Sequence, residues 1–250
     1  MNQQEMTNRT VLVTGGARRL GAGIARGLHT VGMNVVIHCN KSRLEADQLC
    51  DQLNEIRAGS ASVCHADLCK SSSYGRLIDQ TVSEHGRLDV LVNNASAFYS
   101  TPVDTTTESE WEELFDTNLK APFFLAQQAG RHLSEHQGCI LNMVDIYGWR
   151  SLPNYSVYST AKAGLIMMTQ ALARELAPDV RVNAIAPGAI LHHPKFANSY
   201  KSQHPAPCAL LPRWGEVEEI ARAALFLIRD ATYTTGAVLP IDGGRHMNPY

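Results

Sequence analysis

The sequence predicts an α/β fold, in which a doubly wound parallel sheet of about seven strands is covered by helices on both faces. Short runs rich in β-branched residues alternate with longer segments of helical periodicity along the whole chain. The chain has 250 residues and contains no Pro-, Gly- or Ser-rich linker and no internal repeat. These observations predict a single domain over residues 1–250, with a polar tail at residues 1–8.

The strands are predicted from seven short runs, most of which are almost continuously apolar. Such runs are typical of strands that are buried on both faces, as in a parallel sheet between two layers of helices. The predicted strands cover residues 10–14, 34–38, 61–65, 88–93, 139–144, 180–186 and 238–241.

The helices are predicted from apolar positions that recur with a period of about 3.6 residues. They cover residues 20–31, 43–58, 72–85, 108–135, 155–177 and 216–229. The segment 189–215 contains four prolines and mixes polar with apolar residues. We expect it to form a loop that covers the substrate at the carboxyl edge of the sheet, where open α/β folds bind their ligands. A plain connecting segment is the alternative.

Composition excludes several classes of partner. The chain has 22 Lys and Arg against 24 Asp and Glu, a formal net charge of −2, and no block of like charges that would mark a nucleic-acid surface. No apolar run approaches the length that spans a bilayer. The start, MNQQEMTNRT, lacks an apolar leader, and the six cysteines form no CxxC pair. We therefore expect a cytoplasmic protein without a nucleic-acid or membrane partner.

A glycine-rich turn follows the first predicted strand. Residues 14–23 read TGGARRLGAG and lead directly into a helix. Glycine lets a phosphate approach the backbone, and the free N–H groups of a helix N-terminus bind anions. The spacing is neither GxGxxG nor that of a Walker loop, so the turn alone is weak evidence for a nucleotide site.

Tyr158 and Lys162 lie four residues apart at the start of a predicted helix, so both side chains share one face. A nearby cation favours the phenolate and is expected to lower the tyrosine pKa towards the working range of a general acid. A buried tyrosine beside a surface lysine is the alternative, because the motif by itself is short.

With Asn93-Asn94-Ala95-Ser96, Asn118, Pro187-Gly188 and Asp242-Gly243-Gly244, the chain resembles the short-chain dehydrogenase/reductase family over residues 8–245. The resemblance implies a Rossmann-like sheet of seven strands and a nicotinamide cofactor. It also implies Tyr158 as proton donor, Lys162 as its partner on the ribose and Asn118 as a support for the proton relay. A homotetramer is implied as well, and the apolar helices 108–135 and 155–177 favour subunit contacts.

The end of the second strand predicts which cofactor binds. An acidic residue there accepts the ribose hydroxyls of NAD, whereas Lys or Arg favours the 2′-phosphate of NADPH. The chain reads His38-Cys39-Asn40-Lys41-Ser42-Arg43, and the first acid is Glu45. We predict NADPH, with solvated cations at a helix start as the alternative. The predicted cofactor contacts are Gly15, Arg18, Arg19, Leu20, Gly21, His38, Asn40, Lys41, Ser42, Asp67, Leu68, Asn94, Ala95, Ser96, Tyr158, Lys162, Pro187 and Gly188.

Two departures from the usual family pattern point to a substrate. Arg19 replaces a glycine of the turn, and Asp145 stands thirteen residues before Tyr158, where the family has a serine. Both are similar to pteridine reductases. A carboxyl group that burial keeps partly protonated can join proton delivery to the nitrogen of a C=N bond. An acid that caps a neighbouring helix is the alternative interpretation of Asp145.

The same resemblance implies the pterin-binding residues. Phe98 would hold the flat ring against the nicotinamide, an aromatic face being a suitable surface for a heterocycle. Simple packing is the alternative for Phe98. The expected catalytic residues are Asp145, Tyr158, Lys162 and Asn118, and the expected substrate contacts are Arg19, Ser96, Phe98, Asp145, Tyr155 and Tyr158. Ile190 departs from the serine of protozoan pteridine reductases.

The sequence therefore predicts an NADPH-dependent reductase of a C=N bond in a pterin, which turns a dihydropterin or oxidised pterin into a tetrahydropterin, with dihydrofolate as a further candidate substrate. A carbonyl reductase of the same family, for instance one acting on a 3-oxoacyl thioester, is the alternative, and it would carry serine at 145 and glycine at 19. A non-catalytic NADP-binding regulator is a third hypothesis. No metal site is predicted, because His132 and His136 have no third ligand.

Overall fold

The computed structural model describes residues 6–190 and 209–248. Their seven strands form one parallel sheet in the order β3-β2-β1-β4-β5-β6-β7, which confirms the predicted fold class. The strands are β1 (Thr10–Val13), β2 (Asn34–Cys39), β3 (Ala61–His65), β4 (Val90–Asn93), β5 (Cys139–Met143), β6 (Arg181–Pro187) and β7 (Val238–Ile241).

Helices cover both faces of the sheet, and they are α1 (Arg19–Thr30), α2 (Arg43–Ile56), α3 (Ser73–His85), α4 (Glu108–Phe115), α5 (Ala121–Glu135), α6 (Ser156–Glu175) and α7 (Val217–Leu225). Helices α1, α2 and α7 pack on one face, and α3, α5 and α6 pack on the other. Successive strand side chains point to opposite faces. Accordingly Val11 and Val13 join the first layer of the core, whereas Leu12 joins the second.

The strand order reverses between β1 and β4, which pair in parallel. From β1 the chain runs outwards through β2 and β3, and it then returns to lay β4 on the other side of β1. In open α/β sheets the crevice outside the carboxyl ends of the strands at such a reversal is the place where ligands bind. The glycine turn and the Asn94–Ser96 segment both leave the sheet at this point.

The predicted helix 108–135 is wrong as a single regular helix. Helices α4 and α5 are joined by a π-helical segment, Asp116–Lys120, whose wider hydrogen bonding interrupts the α-helical pattern. Such bulges occur frequently at functional sites, and the buried Asn118 lies in this one. Apolar periodicity does not reveal this kind of insertion, because one extra residue barely disturbs the pattern.

The two segments that were expected to be irregular are only partly described. Of the polar tail predicted for residues 1–8, Met6 is buried in the core, whereas Thr7 and Asn8 are exposed and the Asn8 N–H donates to the Gly32 carbonyl at 3.3 Å. Met6 belongs to the same core cluster as Met33, which follows the α1–β2 turn. Of the expected covering loop 189–215, residues 191–208 lie outside the described residues. No helix among residues 6–190 and 209–248 is long and apolar enough to cross a membrane.

Candidate active site

The β1–α1 turn is bound tightly to the end of β4. The Thr14 hydroxyl accepts hydrogen bonds from the backbone N–H groups of Asn94, at 2.9 Å, and Ala95, at 3.0 Å. In return the Asn94 side chain donates to the carbonyls of Thr14 and Gly15. A Cβ added at Gly21 would lie 2.3 Å from the Gly15 oxygen, so the turn tolerates only glycine there. The motif therefore builds a rigid edge between β1 and β4.

The start of α1 presents free backbone donors at this edge. Its N-cap residue, Arg18, makes no side-chain cap, and the first turn contains no acidic residue. Such a helix N-terminus fits the diphosphate of a dinucleotide, because its N–H groups and dipole favour an anion. Arg19 begins the helix with φ of +53°, in the left-handed region that favours glycine. This backbone position accounts for the glycine that the family usually has there.

The buried His38 side chain joins the β1–α1 turn to the segment after β3. Its Nδ1 accepts a hydrogen bond from the Gly15 N–H at 3.1 Å, and its Nε2 lies 3.1 Å from the Ala66 carbonyl. The two contacts require the tautomer with the proton on Nε2. Burial lowers the pKa of His38 to about 4, so the ring is neutral. His38, predicted as a cofactor contact, has a side chain only 1% exposed and acts through Gly15.

Three of the predicted basic residues lie around the ends of β2 and α1. Arg18 forms an ion pair with Glu45 at 3.2 Å, and both side chains remain substantially exposed. Arg43 forms a similar pair with Asp47 at 2.9 Å. Lys41 is exposed and forms no salt bridge with residues 6–190 or 209–248. The positive charge predicted near a 2′-phosphate is therefore present, and part of it is shared with carboxylates of α2.

The remaining predicted cofactor contacts lie along the carboxyl edge of the sheet. Asn40, after β2, donates to the Asp67 carboxylate at 3.3 Å, and Asp67 also accepts from the Cys69 N–H. The Leu68 side chain is buried in the core. The others are exposed or half-buried at the ends of their elements, and they are Leu20 in α1, Ser42 before α2, and Gly188 after Pro187.

Asp145 and Tyr158 are in direct contact. The Tyr158 hydroxyl donates to Asp145 Oδ2 at 2.7 Å, and Asp145 Oδ1 accepts from the Tyr147 N–H at 2.9 Å. The carboxylate therefore caps the short 3₁₀ turn Ile146–Gly148, as the alternative interpretation of Asp145 expected, and it also contacts the phenol. Burial raises the pKa of Asp145 above its ordinary value, although Lys162 and Arg245 oppose the shift.

The expectation that Lys162 lowers the pKa of Tyr158 is wrong for the protein without its cofactor. Burial and the neighbouring Asp145 carboxylate raise the pKa of Tyr158 well above 10, so the phenol keeps its proton. Lys162 lies 5.6 Å from the ring centroid and donates to the Met143 carbonyl at 2.8 Å. Burial lowers the pKa of Lys162 to about 8.

Asn118 holds the segment that passes in front of Tyr158. Its side-chain amide donates to the carbonyls of Ala97, at 3.0 Å, and Leu114, at 2.9 Å. Its oxygen accepts from the Ser96 hydroxyl at 2.7 Å. The π-helical segment turns the Asn118 side chain towards the end of β4, which a regular helix would not do at the same register.

Phe98 and Tyr155 form an aromatic wall beside the phenol. Their rings stack with centroids 4.7 Å apart, and the Phe98 ring meets Tyr158 edge-on at 4.8 Å. Phe98 is 50% exposed, so its free face is available to a planar ligand.

A family model described as enoyl-(acyl carrier protein) reductase matches residues 15–246, almost the whole chain. The chain belongs to the short-chain dehydrogenase/reductase family. Its Rossmann-like sheet of seven strands is shared with solved structures of that family.

Two curated relatives illustrate the range of this family. The chain is 34% identical to 3beta-hydroxysteroid dehydrogenase 1 of Eggerthella lenta, over 98% of this chain and 96% of the relative. It is also 34% identical to the 3-oxoacyl-[acyl-carrier-protein] reductase FabG of Staphylococcus epidermidis, over 96% of this chain and the full length of the relative.

Two solved structures are similar over nearly their full length. One is FolM alternative dihydrofolate reductase 1 from Brucella canis in complex with NADP, with a TM-score of 0.87, 34% identity and coverage of 97% of this chain and 96% of that one. The other is a blue fluorescent protein from a metagenomic library in complex with NADPH, with a TM-score of 0.90, 31% identity and coverage of 97% and 99%.

Sequence reasoning about this short-chain dehydrogenase/reductase missed the cluster of residues that lies beside Tyr147, two residues after Asp145. The Arg245 guanidinium lies 5.9 Å from the centroid of the Tyr147 ring. Arg150 donates to the backbone carbonyls of Arg245 and His246, and the His246 ring contacts Asp242 at 2.8 Å. The only sequence signal for this cluster is the ending DGGRH, which does not show that the C-terminal turn returns to the end of β5.

Proposed function

We propose that this protein reduces C=N bonds in a pterin ring with NADPH, converting a dihydropterin into a tetrahydropterin with one NADPH, or an oxidised pterin into a tetrahydropterin with two NADPH in succession. The contact between Asp145 and Tyr158 carries the proposal, because a second proton donor beside the phenol suits reduction at a nitrogen. Further support comes from the 34% identity to a protein named FolM alternative dihydrofolate reductase 1.

The chain offers a complete set of groups for NADPH, which when bound supplies the hydride. The free N–H groups of α1 would hold the diphosphate, and Arg18 with Lys41 would face the 2′-phosphate. Lys162 would meet the ribose, as in the rest of the family. The end of β2 has no acidic residue that would repel the extra phosphate.

The proton follows a short path along the chain's own side chains. Tyr158 gives its proton to the ring nitrogen as the adjacent carbon is reduced, and Asp145 can then return a proton to the phenolic oxygen. Because burial raises the pKa of Asp145, its carboxyl retains a proton over a wider pH range than a solvent-exposed aspartate does. Asn118 holds Ser96 and Ala97 in front of the phenol, and the exposed face of Phe98 stacks on the pterin.

The test is a comparison of substrates with purified protein and NADPH, followed by the loss of NADPH absorbance. We expect turnover of 7,8-dihydrobiopterin, dihydromonapterin or dihydrofolate with a higher kcat/KM than that for acetoacetyl-CoA. Turnover of the thioester alone would refute the proposal and establish the carbonyl reductase that the similarity to FabG favours. Binding of NADPH without turnover of any substrate would indicate the non-catalytic regulator.

We also propose that the protein is a cytoplasmic homotetramer. Apolar side chains remain exposed on α4, α5 and α6, among them Trp111 at 47%, Phe123 at 38% and Met167 at 64%. Such side chains on adjacent helices are typical of subunit interfaces. Analytical ultracentrifugation should give four times the mass of the 27.4 kDa chain, and a monomer would contradict this assembly.

A further inference from the structure

A second group of side chains lies next to the proposed catalytic centre, beyond Tyr147. A cavity of about 190 Å³ opens there between the 3₁₀ turn after β5 and the C-terminal turn, and its wall includes Tyr147, Arg150, Ser151 and Arg245. The described residues that line it include two arginines and no carboxylate. It is therefore a positively charged recess that adjoins Asp145 through the backbone of Tyr147.

The two arginines have different roles. Arg150 is committed to the C-terminal turn, since its guanidinium donates to the carbonyls of Arg245, His246 and Asn248. It holds the turn against the end of β5. The Arg245 guanidinium lies over the ring of Tyr147 and forms no salt bridge with residues 6–190 or 209–248.

A guanidinium that is half-buried over an aromatic ring has lost part of its hydration, and among the described residues Arg245 gains no carboxylate in direct contact to replace it. Arginine binds carboxylate and phosphate groups in a bidentate manner, so an anionic group in the cavity would supply the missing partner. Nearby Asp145 interacts with Arg245 only at a distance, since its two oxygens accept hydrogen bonds from the Tyr158 hydroxyl and the Tyr147 N–H.

We propose that Arg245 binds an anionic substituent of the substrate, a carboxylate or a phosphate, in the cavity between Tyr147 and the C-terminal turn. The inference rests on the proposed function, since it places the reacting ring at Tyr158 and its side chain towards Arg245. The protein then prefers pterins with an acidic tail over those with a neutral one. Arg245 is a specificity-determining residue and takes no part in hydride or proton transfer.

The test compares kcat/KM for three dihydropterins in the wild type and in Arg245→Gln. Dihydrofolate carries a carboxylate tail, dihydroneopterin monophosphate carries a phosphate, and dihydrobiopterin is neutral. We expect the ratio of anionic to neutral kcat/KM to fall about tenfold in the variant, as for loss of one charge-assisted contact, and to be partly restored by Arg245→Lys, which returns the charge without the bidentate geometry. The anionic substrate with the larger loss identifies the group that is bound. If Arg245 acted only by shifting the pKa of Asp145, Arg245→Gln would change kcat/KM for all three dihydropterins by the same factor. The ratio of anionic to neutral kcat/KM would then stay the same.

The matched control is Arg131→Gln, which removes the same charge from the exposed surface of α5. Its ratio should equal that of the wild type. An equal ratio in Arg245→Gln and Arg131→Gln would overturn the inference. If no pterin is reduced, the proposed function fails by itself, and the same ratio is measured with acetoacetyl-CoA against the uncharged acetoacetyl thioester of N-acetylcysteamine. If Arg245→Gln leaves this ratio of the two thioesters unchanged, the inference is overturned. A tenfold fall in the ratio supports it.

Discussion

The Tyr158 hydroxyl donates a hydrogen bond of 2.7 Å to the carboxylate of Asp145. The two side chains come from different elements, since Asp145 follows β5 and Tyr158 lies in the first turns of α6. Tyr158 is buried and Asp145 is half-buried, and loss of solvent contact raises the pKa of each above its ordinary value. The pair therefore holds protons close to the place where the proposed reaction consumes one.

Removing either member should abolish most turnover and leave cofactor binding intact. We expect Tyr158→Phe and Asp145→Ala to lower kcat for the dihydropterin by about 10²–10⁴-fold, the usual contribution of a general acid. The dissociation constant for NADPH, measured by fluorescence titration, should stay within about twofold because neither change alters the α1 donors. The control is Tyr233→Phe, a fully exposed tyrosine. Near-normal rates in either active-site variant would disprove the mechanism.

The pH profile of kcat/KM should fall with rising pH. The raised pKa of Asp145 keeps its carboxyl protonated to a higher pH than usual, and proton delivery is lost as the pH rises through that pKa. Lys162, whose pKa is about 8, loses its charge in the same direction. We expect Asp145→Ser to abolish the decline in kcat/KM that follows the pKa of Asp145 and to retain the decline near pH 8 that follows the pKa of Lys162. A variant profile identical to that of the wild type would exclude Asp145 as a proton donor.

Lys162→Met should change the pH dependence of stability. The pKa of Lys162 is lowered from 10.5 to about 8, so the unfolded chain binds more protons between these values, and the free energy of unfolding rises with pH across this window. The rise amounts to about 3 kcal/mol for a single group. Urea unfolding at pH 8 and at pH 10.5 should show this difference between the wild type and the variant. Parallel curves for the two proteins would refute the assignment.

His38→Leu should weaken cofactor binding while sparing catalysis. The variant leaves the partly buried Gly15 N–H without its acceptor, a loss of about 1 kcal/mol, and we expect it to loosen the turn that would bind phosphate. We expect KM for NADPH to rise several-fold and kcat at saturation to change less than twofold.

The stability of the wild type should also depend on His38 at acidic pH. The pKa of this histidine is lowered from 6.5 to about 4, so its stabilising contribution is complete above pH 6.5 and is lost as the pH falls through 4. A shallower loss of stability in His38→Leu over that window would agree with this role. An identical loss of stability between pH 6.5 and pH 4 in the wild type and in His38→Leu would contradict this role.

Glu45→Gln should tighten NADPH binding. Glu45 holds the Arg18 guanidinium at 3.2 Å, and exposed pairs of this kind contribute about 0.2–1 kcal/mol. Releasing Arg18 for the 2′-phosphate should lower the dissociation constant for NADPH by up to about fivefold and leave that for NADH unchanged. Glu55→Gln is the control, because it makes the same change of charge on the exposed face of α2. Equal effects of the two variants would show that Arg18 does not contact the phosphate.

The amino-acid sequence by itself determined the fold class. Apolar strand runs and helical periods are local patterns. Seven apolar strands that alternate with helices bury their side chains best in a parallel sheet that helices cover on both faces. The sequence also singled out Asp145, Tyr158 and Lys162 as candidate site residues. Tyr158 and Lys162 agree with the family motif in identity and spacing, and Asp145 stands where the family has a serine. Neither inference needed contacts between distant segments.

Only the tertiary structure decided how these residues behave. Protonation depends on burial and on neighbours from other elements. Burial, together with Asp145 at 2.7 Å, therefore raises the Tyr158 pKa that was expected to be lowered. The supporting place of His38 and the approach of Arg245 to Tyr147 likewise depend on segments that are distant along the chain. A sequence pattern specifies which side chains are present, whereas the free energy of a charge depends on everything that packs around it.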